Sequence, residues 1–439
     1  MKRIAIVGSG ISGLGAAYAL HGCADITLFE ARGRLGGHSH TLAIDHGGEQ
    51  LNVDVGFIVY NGLNYPNLTG LFDALGVETQ PSDMSFSVSD PHGYEWASSA
   101  RGIFAQKRNL LSPRFHRFWR TILNFNDTAR AQLEAGEIGD VALRVWLDEN
   151  GFDQTFRENY ILPMAAAIWS TPERGVLDFP ARSFFEFFEN HRLMHKERPK
   201  WRTVTGGSQA YVRKVAELLG EHVRLSSPVT RIAPFGERVK LTVESGQSEV
   251  FDDVILACHS DQALAMLDDS YAAQRFNLRS VRYRPNRVYL HRDASLMPRR
   301  KAAWASWNVL KGHGEDVCLS YWMNRLQSLP ERCPTFVTLN PLTPPADETV
   351  FAELTFDHPQ FDGPAEAAVR ELKRMQGDCG LWFAGAWMGR GFHEDGLKSG
   401  LSPALSLGGT VPWTPEGVDV QVPARHDAPV RIISHQVAH

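Results

Sequence analysis

The sequence lacks the cysteine pattern of a disulfide-stapled or zinc-binding protein. Its five cysteines are scattered along 439 residues, and none belongs to a CxxC pair. An odd number of widely separated cysteines argues against both a disulfide framework and a zinc site. Such usage is typical of proteins that work in a reducing compartment, and we expect no metal.

Long apolar runs are also missing. A membrane-spanning helix needs about twenty predominantly apolar residues, and no such stretch occurs. The first β-branched run begins near Arg3, which leaves no room for a cleaved signal peptide. We therefore expect a cytoplasmic protein, with peripheral contact to the inner face of the membrane as an open alternative.

An excess of charge of one sign is absent as well. The formal net charge is −5, with 43% hydrophobic and 22% charged residues. This balance is ordinary for a globular protein and does not favour nucleic acid as a partner. A chain of 439 residues exceeds one simple core, so two domains are expected, interleaved along the sequence.

The N-terminus carries a complete strand–helix–strand pattern. Ile4–Val7 reads as a buried strand, the turn Gly8-Ser9-Gly10-Ile11-Ser12-Gly13 follows, and residues 14–21 read as a helix. A second strand, Ile26–Phe29, ends at Glu30. A glycine-rich turn in this context, with an acid about 20 residues further on, predicts dinucleotide binding.

Each residue of this turn has a distinct expected role. Gly8 permits the tight turn, Gly10 lets the backbone approach a pyrophosphate, and Gly13 lets the helix pack on the strand. The amides that begin the helix, those of Ile11 and Ser12, then face the phosphates. Glu30 grips the ribose hydroxyls, which favours FAD or NAD over NADP.

The residues after Glu30 separate FAD from NAD. The stretch consists of Ala31, Arg32 and Arg34, followed by the pair Gly36-Gly37. It resembles the "EAxxxxGG" segment of the flavin-containing amine oxidase and phytoene desaturase superfamily, although a plain loop would also explain a glycine pair. The resemblance implies an α/β protein with a Rossmann-like FAD-binding domain, interleaved with an α+β substrate domain containing an antiparallel sheet and helices.

Further segments resemble the same superfamily in the same order. The stretch 52–56 ends at Gly56 and matches the end of the first FAD segment. Thr205–Ser208 precedes the helical pattern 209–219, and the run 223–232, read as one strand, places Val229 beside the adenine. Another apolar strand is expected over 254–258.

The C-terminal motif is the most specific of these segments. Residues 381–386 read as an apolar strand that ends in the small pair Gly385-Ala386, and "GRGFHEDGLKSG" follows shortly after. The resemblance implies that Asp395, Gly396 and Leu397 contact FAD, and that a helix begins at about Gly396. The residues after Ser399-Gly400 include no cysteine, so non-covalent FAD is expected.

The motifs divide the chain into domains. The FAD-binding domain is predicted to comprise residues 1–60, 201–265 and 376–411, and the substrate domain residues 61–200 and 266–375. Residues 412–439 read as a peripheral C-terminal tail.

The predicted substrate domain is rich in aromatic residues at helical spacing, above all over 112–126 and 181–194. This spacing is typical of core helices. An apolar tunnel, or a mouth at 181–194 that meets lipid, remains an alternative. The basic run Arg299–Lys301 could contact an acidic head group.

The terminal motif also supplies the candidate catalytic residues. His393 and Glu394 are the titratable groups expected beside the flavin, as a base or as groups that only fix the loop. Amine oxidases of the superfamily use paired aromatic rings, often tyrosines, across the flavin. The motif offers Trp387 and Phe392 instead and no tyrosine.

Four strings sharpen the resemblance: "GSGISGLGAAYAL", "DVGFIVYN", "AAAIWS" and "GAWMGRGFHEDGL". They resemble a bacterial subgroup of flavoproteins of fatty-acyl modification, which includes the flavin-dependent desaturase of furan fatty acid synthesis. The resemblance implies dehydrogenation of a methyl-branched unsaturated acyl chain to a conjugated diene by hydride transfer to flavin N5. It also implies a long-chain acyl lipid substrate and a partner methyltransferase or oxygenase. An amine oxidase and a flavin-binding partner without turnover remain alternatives.

Overall fold

The computed structural model describes residues 1–169, 173–195, 197–312 and 317–421. Ser170 of the string "AAAIWS" and most of the expected tail, residues 422–439, lie outside the described residues. No helix of the described part is long and apolar enough to cross a membrane.

The strands, in chain order, are β1 Arg3–Val7, β2 Asp25–Phe29, β3 Thr41–His46, β4 Glu49–Asp54, β5 Val59–Asn61, β6 Thr79–Pro81, β7 Phe86–Ser89, β8 Glu95–Ala97, β9 Trp201–Val204, β10 Val223–Arg224, β11 Val229–Phe235, β12 Arg238–Val243, β13 Ser248–Phe251, β14 Asp253–Leu256, β15 Tyr283–His291, β16 Trp307–Lys311, β17 Val317–Trp322, β18 Phe336–Leu339, β19 Val350–Pro359 and β20 Leu381–Phe383.

The α-helices are α1 Ile11–Leu20, α2 Pro66–Leu75, α3 Pro113–Glu134, α4 Leu143–Glu149, α5 Gln154–Phe156, α6 Leu162–Trp169, α7 Glu173–Leu177, α8 Ala181–Asn190, α9 Gln209–Leu219, α10 Ser260–Met266, α11 Ala272–Leu278, α12 Met323–Leu326, α13 Gly363–Arg374 and α14 His393–Ser406. A π-helical turn, Arg157–Ile161, runs directly into α6, and a 3₁₀ turn, Lys107–Leu111, precedes α3.

The chain divides into two compact units. Unit 1 comprises Met1–Gly37, Val212–Arg282 and Phe361–His439, and unit 2 comprises His38–Tyr211 and Tyr283–Gln360. The division inferred from the flavin motifs uses other boundaries. The two divisions differ most over residues 38–60, which belong to unit 2.

Unit 1 is built on a parallel sheet in the order β10-β2-β1-β14-β20. Ile4, Ala5 and Ile6 of the central strand are fully buried, as expected for a β-branched strand covered on both faces. The parallel pairing of β1 with β2 and β14 brings the carboxyl ends of these strands to one edge. The expected α/β architecture is therefore confirmed.

The segment 223–232 is not the single strand that its sequence suggested. It splits into β10, at the edge of the parallel sheet, and β11, in a separate antiparallel sheet β11-β12-β13. The break lies at Ser226, whose φ of 48° is in the left-handed region. The amides of Ser226 and Ser227 donate to the carbonyls of Arg32 and Glu30, so the turn is fixed against the end of β2.

Unit 2 contains a seven-stranded mixed sheet in the order β19-β15-β18-β17-β16-β7-β8. Its pairs are antiparallel except β16 with β7, which agrees with the antiparallel sheet expected for the substrate domain. Leu290, Val309 and Met323 lie in a buried apolar cluster on this sheet.

The helices of unit 2 bury their aromatic residues. Phe184, Phe185, Phe187 and Phe188 of α8 are all at most 2% exposed. The alternative of a lipid-facing aromatic mouth over 181–194 is therefore wrong for these four rings. They pack as core because their spacing places all four on the inner side of an amphipathic helix.

Candidate functional site

In the glycine-rich turn of unit 1, two glycines have no room for a side chain, whereas a third faces empty space. Gly8 has φ of 103°, and a β-carbon there would lie 2.6 Å from the carbonyl oxygen of Ala257. A β-carbon on Gly13 would lie 1.9 Å from the carbonyl oxygen of Gly8. Nothing lies within 4 Å of a β-carbon on Gly10. Packing therefore requires Gly8 and Gly13, whereas Gly10 faces open space.

The first turn of α1 presents amides to that space. Gly10 caps the helix without a side-chain hydrogen bond, and the first helical bond runs from the Leu14 amide to the Gly10 carbonyl. No acceptor for the amides of Ile11, Ser12 and Gly13 occurs among the described residues. Unpaired amides at a helix N-terminus fit an anionic ligand such as a pyrophosphate.

Glu30 lies beside this turn, at the end of β2. Its carboxylate accepts from the Ser9 amide at 3.1 Å, the Ser9 hydroxyl, and the Arg32 amide at 2.8 Å. A carboxylate has about four lone-pair sites, so it can also accept from ribose hydroxyls. Ala31 and Arg32 are exposed.

The segment after Glu30 packs back onto the turn. The Gly36 amide donates to the Ser9 carbonyl at 3.0 Å, and a β-carbon on Gly37 would lie 3.1 Å from the Gly10 Cα. Ser9 thus bridges Glu30 and Gly36. This role of Ser9 cannot be predicted from the sequence, because a serine at a variable position of the turn gives no separate signal.

Arg34 is a half-buried cation beside the same turn. Its guanidinium donates twice to the Gly37 carbonyl, at 3.1 Å each, and no carboxylate pairs with it among the described residues. Burial, and secondarily the Arg32 charge, lower the pKa of Arg34 from its usual value. An anion bound here would compensate this unpaired charge.

The C-terminal segment adds a second helix N-terminus. The helix α14 begins at His393, not at about Gly396, so the prediction of its start is wrong by three residues. The reason is Asp395, whose carboxylate accepts from the amides of Arg390 and Phe392 at 3.1 Å each. These bonds fold the preceding loop onto the first turn, and Gly396 lies inside the helix.

Helices α1 and α14 run side by side in the same direction. A β-carbon on Gly396 would lie 2.7 Å from the Ile11 side chain, and one on Gly400 would lie 2.0 Å from the Ser12 carbonyl. At the other end the Thr410 amide, just beyond α14, donates to the Ala19 carbonyl. Both positive helix ends therefore point to the same part of unit 1.

Ser399 fastens the end of β20 to α14, a role that the sequence analysis missed. Its hydroxyl accepts from the Gly385 amide at 2.8 Å and donates to the Gly396 carbonyl at 2.7 Å. Gly385 has φ of 152°, and a β-carbon there would lie 2.3 Å from the Trp387 indole nitrogen. Leu397, the next predicted contact, is fully buried.

Ser399→Ala is expected to lower the free energy of unfolding by about 1–3 kcal/mol, because it leaves the Gly385 amide without an acceptor. Urea unfolding of the purified protein measures the change. Ser245→Ala, at an exposed turn between β12 and β13, is the control and is expected to shift stability by less than about 0.5 kcal/mol. Equal stability of the two variants would contradict the role of Ser399.

Two cofactor candidates remain, Val229 in unit 1 and Gly56 in unit 2. Val229 begins β11 and is buried, and a cavity of about 340 Å³ in unit 1 is lined by residues just before it, including Ser227 and Pro228, and by Phe29. Gly56 belongs to unit 2, where a β-carbon would lie 2.1 Å from the His38 carbonyl.

The predicted catalytic pair lies in the first turn of α14. Glu394 is 4% exposed, and His393 is half-buried. Burial lowers the pKa of His393 to about 3, so its imidazole is neutral at pH 7. A conjugate acid this strong makes His393 a weak proton acceptor and suits it to hydrogen bonding.

Together the residues of unit 1 fit a dinucleotide. Such a ligand requires space for its pyrophosphate, free amides and an acid near the turn, and unit 1 has the open space before Gly10, the unpaired amides of α1 and Glu30. Arg34, which has no carboxylate partner among the described residues, adds a positive charge. The N-terminus of α14 lies beside that of α1 and adds a second group of helix-end amides to the site, as binding of FAD requires.

Two known enzymes are similar to the chain in amino-acid sequence. Tryptophan 2-monooxygenase of Pantoea agglomerans pv. gypsophilae is 26% identical over 322 residues, which cover 62% of this chain and 55% of that protein. The enzyme of the same name from Pseudomonas savastanoi is 24% identical over 321 residues. The chain thus spans little more than half the length of these relatives.

Solved structures resemble the chain over nearly its whole length. A putrescine oxidase superposes with a TM-score of 0.66 at 18% identity, covering 92% of this chain and 98% of that one. A fatty acid isomerase from P. acnes, which produces CLA, superposes with a TM-score of 0.62 at 16% identity, covering 91% and 97%. Identities this low speak to the fold alone.

The family comparison is more specific. Residues 11–285 match the family described as flavin containing amine oxidoreductase, which is well over half of the chain. The match includes the amides that begin α1, Glu30, Arg34 and the glycine pair. The chain belongs to the flavin-containing amine oxidoreductase family.

Proposed function

We propose that this flavoenzyme dehydrogenates a methyl-branched unsaturated fatty acyl chain to a conjugated diene. The observation that carries the proposal is the segment from the π-helical turn into α6. Residues 161–167 are buried at every position and carry only apolar side chains. A helix that is apolar on all faces offers only apolar neighbours to a bound chain, and π-helical turns are frequent at functional sites.

The terminal motif supports an acyl substrate over an amine. Trp387 is 2% exposed, and its indole nitrogen donates to the Cys258 carbonyl at 2.9 Å within unit 1. A ring held in this way is not available to pair with another across a substrate amine. The four sequence strings point to the same subgroup of acyl-modifying flavoproteins.

FAD and the protein's own residues have separate roles in such a reaction. FAD, when bound, supplies the acceptor for a hydride from a carbon next to the double bond. The chain's own residues must exclude water, align the acyl chain and receive one proton. Glu394 is the stronger candidate for the proton, because the pKa of His393, about 3, disfavours its protonated form.

Anaerobic mixing with a methyl-branched monounsaturated phospholipid, or its free acid, is expected to bleach the oxidised flavin and to form a conjugated diene detectable by ultraviolet absorbance. The control is a saturated, unbranched lipid with the same head group, which lacks the activated C–H bond and should leave the flavin oxidised. Bleaching by amines, and by none of the branched lipids, would overturn the proposal.

An amine oxidase is the second candidate. It is favoured by the fold shared with a putrescine oxidase and with the cyclohexylamine oxidase of Brevibacterium oxydans IH-35A, which superposes with a TM-score of 0.66 at 15% identity. Amine-dependent release of hydrogen peroxide distinguishes it from the acyl desaturase.

In the acyl proposal, a methyltransferase supplies the methyl branch of the substrate and an oxygenase uses the diene product, with all three enzymes in the cytoplasm.

A further inference from the structure

The stretch between Glu95 and Asp127 of unit 2 is anomalous in charge. It contains no acidic residue and has six cations: Arg101, Lys107, Arg108, Arg114, Arg117 and Arg120. All six are exposed, and none forms an ion pair with another described residue. The chain as a whole has a net charge of −5, so this local excess is not a consequence of composition.

Large apolar side chains are exposed among these cations. Leu111 is 91% exposed, Leu110 51% and Leu123 56%. The 3₁₀ turn that carries the first two leucines buries its polar residue instead: Asn109 is 3% exposed, and its side-chain amide nitrogen donates to the Gln106 side-chain oxygen at 3.0 Å. A turn that buries asparagine and presents leucine to water sacrifices hydrophobic burial.

Helix α3 continues the same surface. Phe115, Phe118 and Ile122 lie on its buried side, whereas Arg117, Arg120 and Leu123 follow each other at three-residue spacing on the outer side. The His116 imidazole contacts the Leu110 carbonyl at 2.8 Å. This bond ties the 3₁₀ turn to α3, so the leucines are held in place beside the cations.

We propose that this basic patch, Lys107 to Leu123, docks the enzyme on a bilayer that contains anionic lipid. Cations at the level of the head groups and leucines that enter the acyl boundary are the two components of interfacial binding. Nucleic acid would use the cations and leave the three leucines in water. Docking deepens the proposed function, because it brings the enzyme to a long-chain acyl substrate, but the binding itself does not depend on turnover.

The test is co-sedimentation of the FAD-loaded protein with vesicles of phosphatidylcholine alone, or of equal parts phosphatidylcholine and phosphatidylglycerol. The wild type is expected to bind the anionic vesicles and to release as salt rises, since salt screens surface charge. Arg117→Gln/Arg120→Gln should weaken binding about 25-fold at low salt, or about fivefold per cation. Leu110→Ser/Leu111→Ser should weaken it about tenfold or more at any salt concentration.

Two matched controls come from exposed residues elsewhere. Phe276→Ser removes an exposed apolar ring on α11, and Arg213→Gln/Lys214→Gln removes two exposed cations on α9. Both are expected to bind anionic vesicles within about twofold of the wild type, as surface changes away from an interface do.

The docking proposal is overturned if the wild type does not bind anionic vesicles, or if the control variants lose as much affinity for them as the patch variants do. It is also overturned if the patch variants lose binding to a single-stranded RNA oligonucleotide while vesicle binding is unchanged. If no lipid bleaches the flavin, the proposed reaction is contradicted, whereas the docking proposal, which is tested by vesicle binding, is unaffected. The two proposals therefore fail separately.

Discussion

Gly10→Val is expected to raise the dissociation constant for FAD about 100-fold or more and to lower the free energy of unfolding of the apoprotein by no more than about 1 kcal/mol, the cost of a valine at a helix N-cap. Gly10 has φ of −65° and ψ of 179°, which a valine adopts without strain. The space before it is free of protein atoms within 4 Å of a β-carbon. The valine methyls would therefore occupy the volume in which a pyrophosphate approaches the amides of α1.

The loss corresponds to about 2.7 kcal/mol of binding free energy or more. Calorimetric titration of apoprotein with FAD measures the binding, and urea unfolding of the apoprotein measures stability. Gly363→Val is the matched control, because Gly363 also faces open space and has no positive φ. Wild-type affinity in Gly10→Val, or unfolding in that variant alone, would contradict the assignment of the open space to the cofactor.

The N-terminal part of this site is readable from the sequence for a physical reason. Its strand, turn, helix and acid are adjacent in the chain, so the geometry of one strand–helix–strand unit fixes their relative positions. Gly8, Gly13 and Glu30 lie where the spacing places them.

Two local predictions were wrong because a side chain or a backbone conformation overrode the pattern. Helix α14 starts three residues early, since Asp395 binds two amides of the preceding loop. The run 223–232 breaks at Ser226, since this residue takes a positive φ and the turn binds the end of β2. The Ser-Ser-Pro sequence at 226–228 was the available signal, because serine and proline favour turns.

Contacts between segments that are distant in the chain could not be predicted from the sequence. Asp54 was noted only as part of a strand end before Gly56. In the structure it accepts from the Ser208 amide at 2.9 Å, from the Ser208 and Thr41 hydroxyls, and from the Gln327 side chain at 3.0 Å. These partners come from three other segments of unit 2, and no local periodicity connects them.

The stability of the wild type is expected to fall by about 2 kcal/mol between about pH 4.5 and about pH 7.5 because of Asp54. Burial raises the pKa of this carboxyl from 3.8 to about 6, against the hydrogen bonds of Thr41 and Ser208, which lower it. A pKa raised by folding stabilises the protein fully below pH 3.8. That stabilisation is lost as the pH rises from 3.8 through about 6, because over this range the carboxyl ionises in the unfolded chain but stays protonated in the folded protein.

Asp54→Asn removes the titrating group and keeps a carbonyl oxygen that can accept from the Ser208 amide. Urea unfolding of both proteins across this pH range measures the difference in their free energies of unfolding. The wild type should lose about 2 kcal/mol relative to Asp54→Asn as the pH rises. Asp73→Asn, an exposed acid on α2, should keep a constant difference from the wild type. A constant difference for Asp54→Asn as well would show that Asp54 ionises as easily in the folded protein as in the unfolded chain.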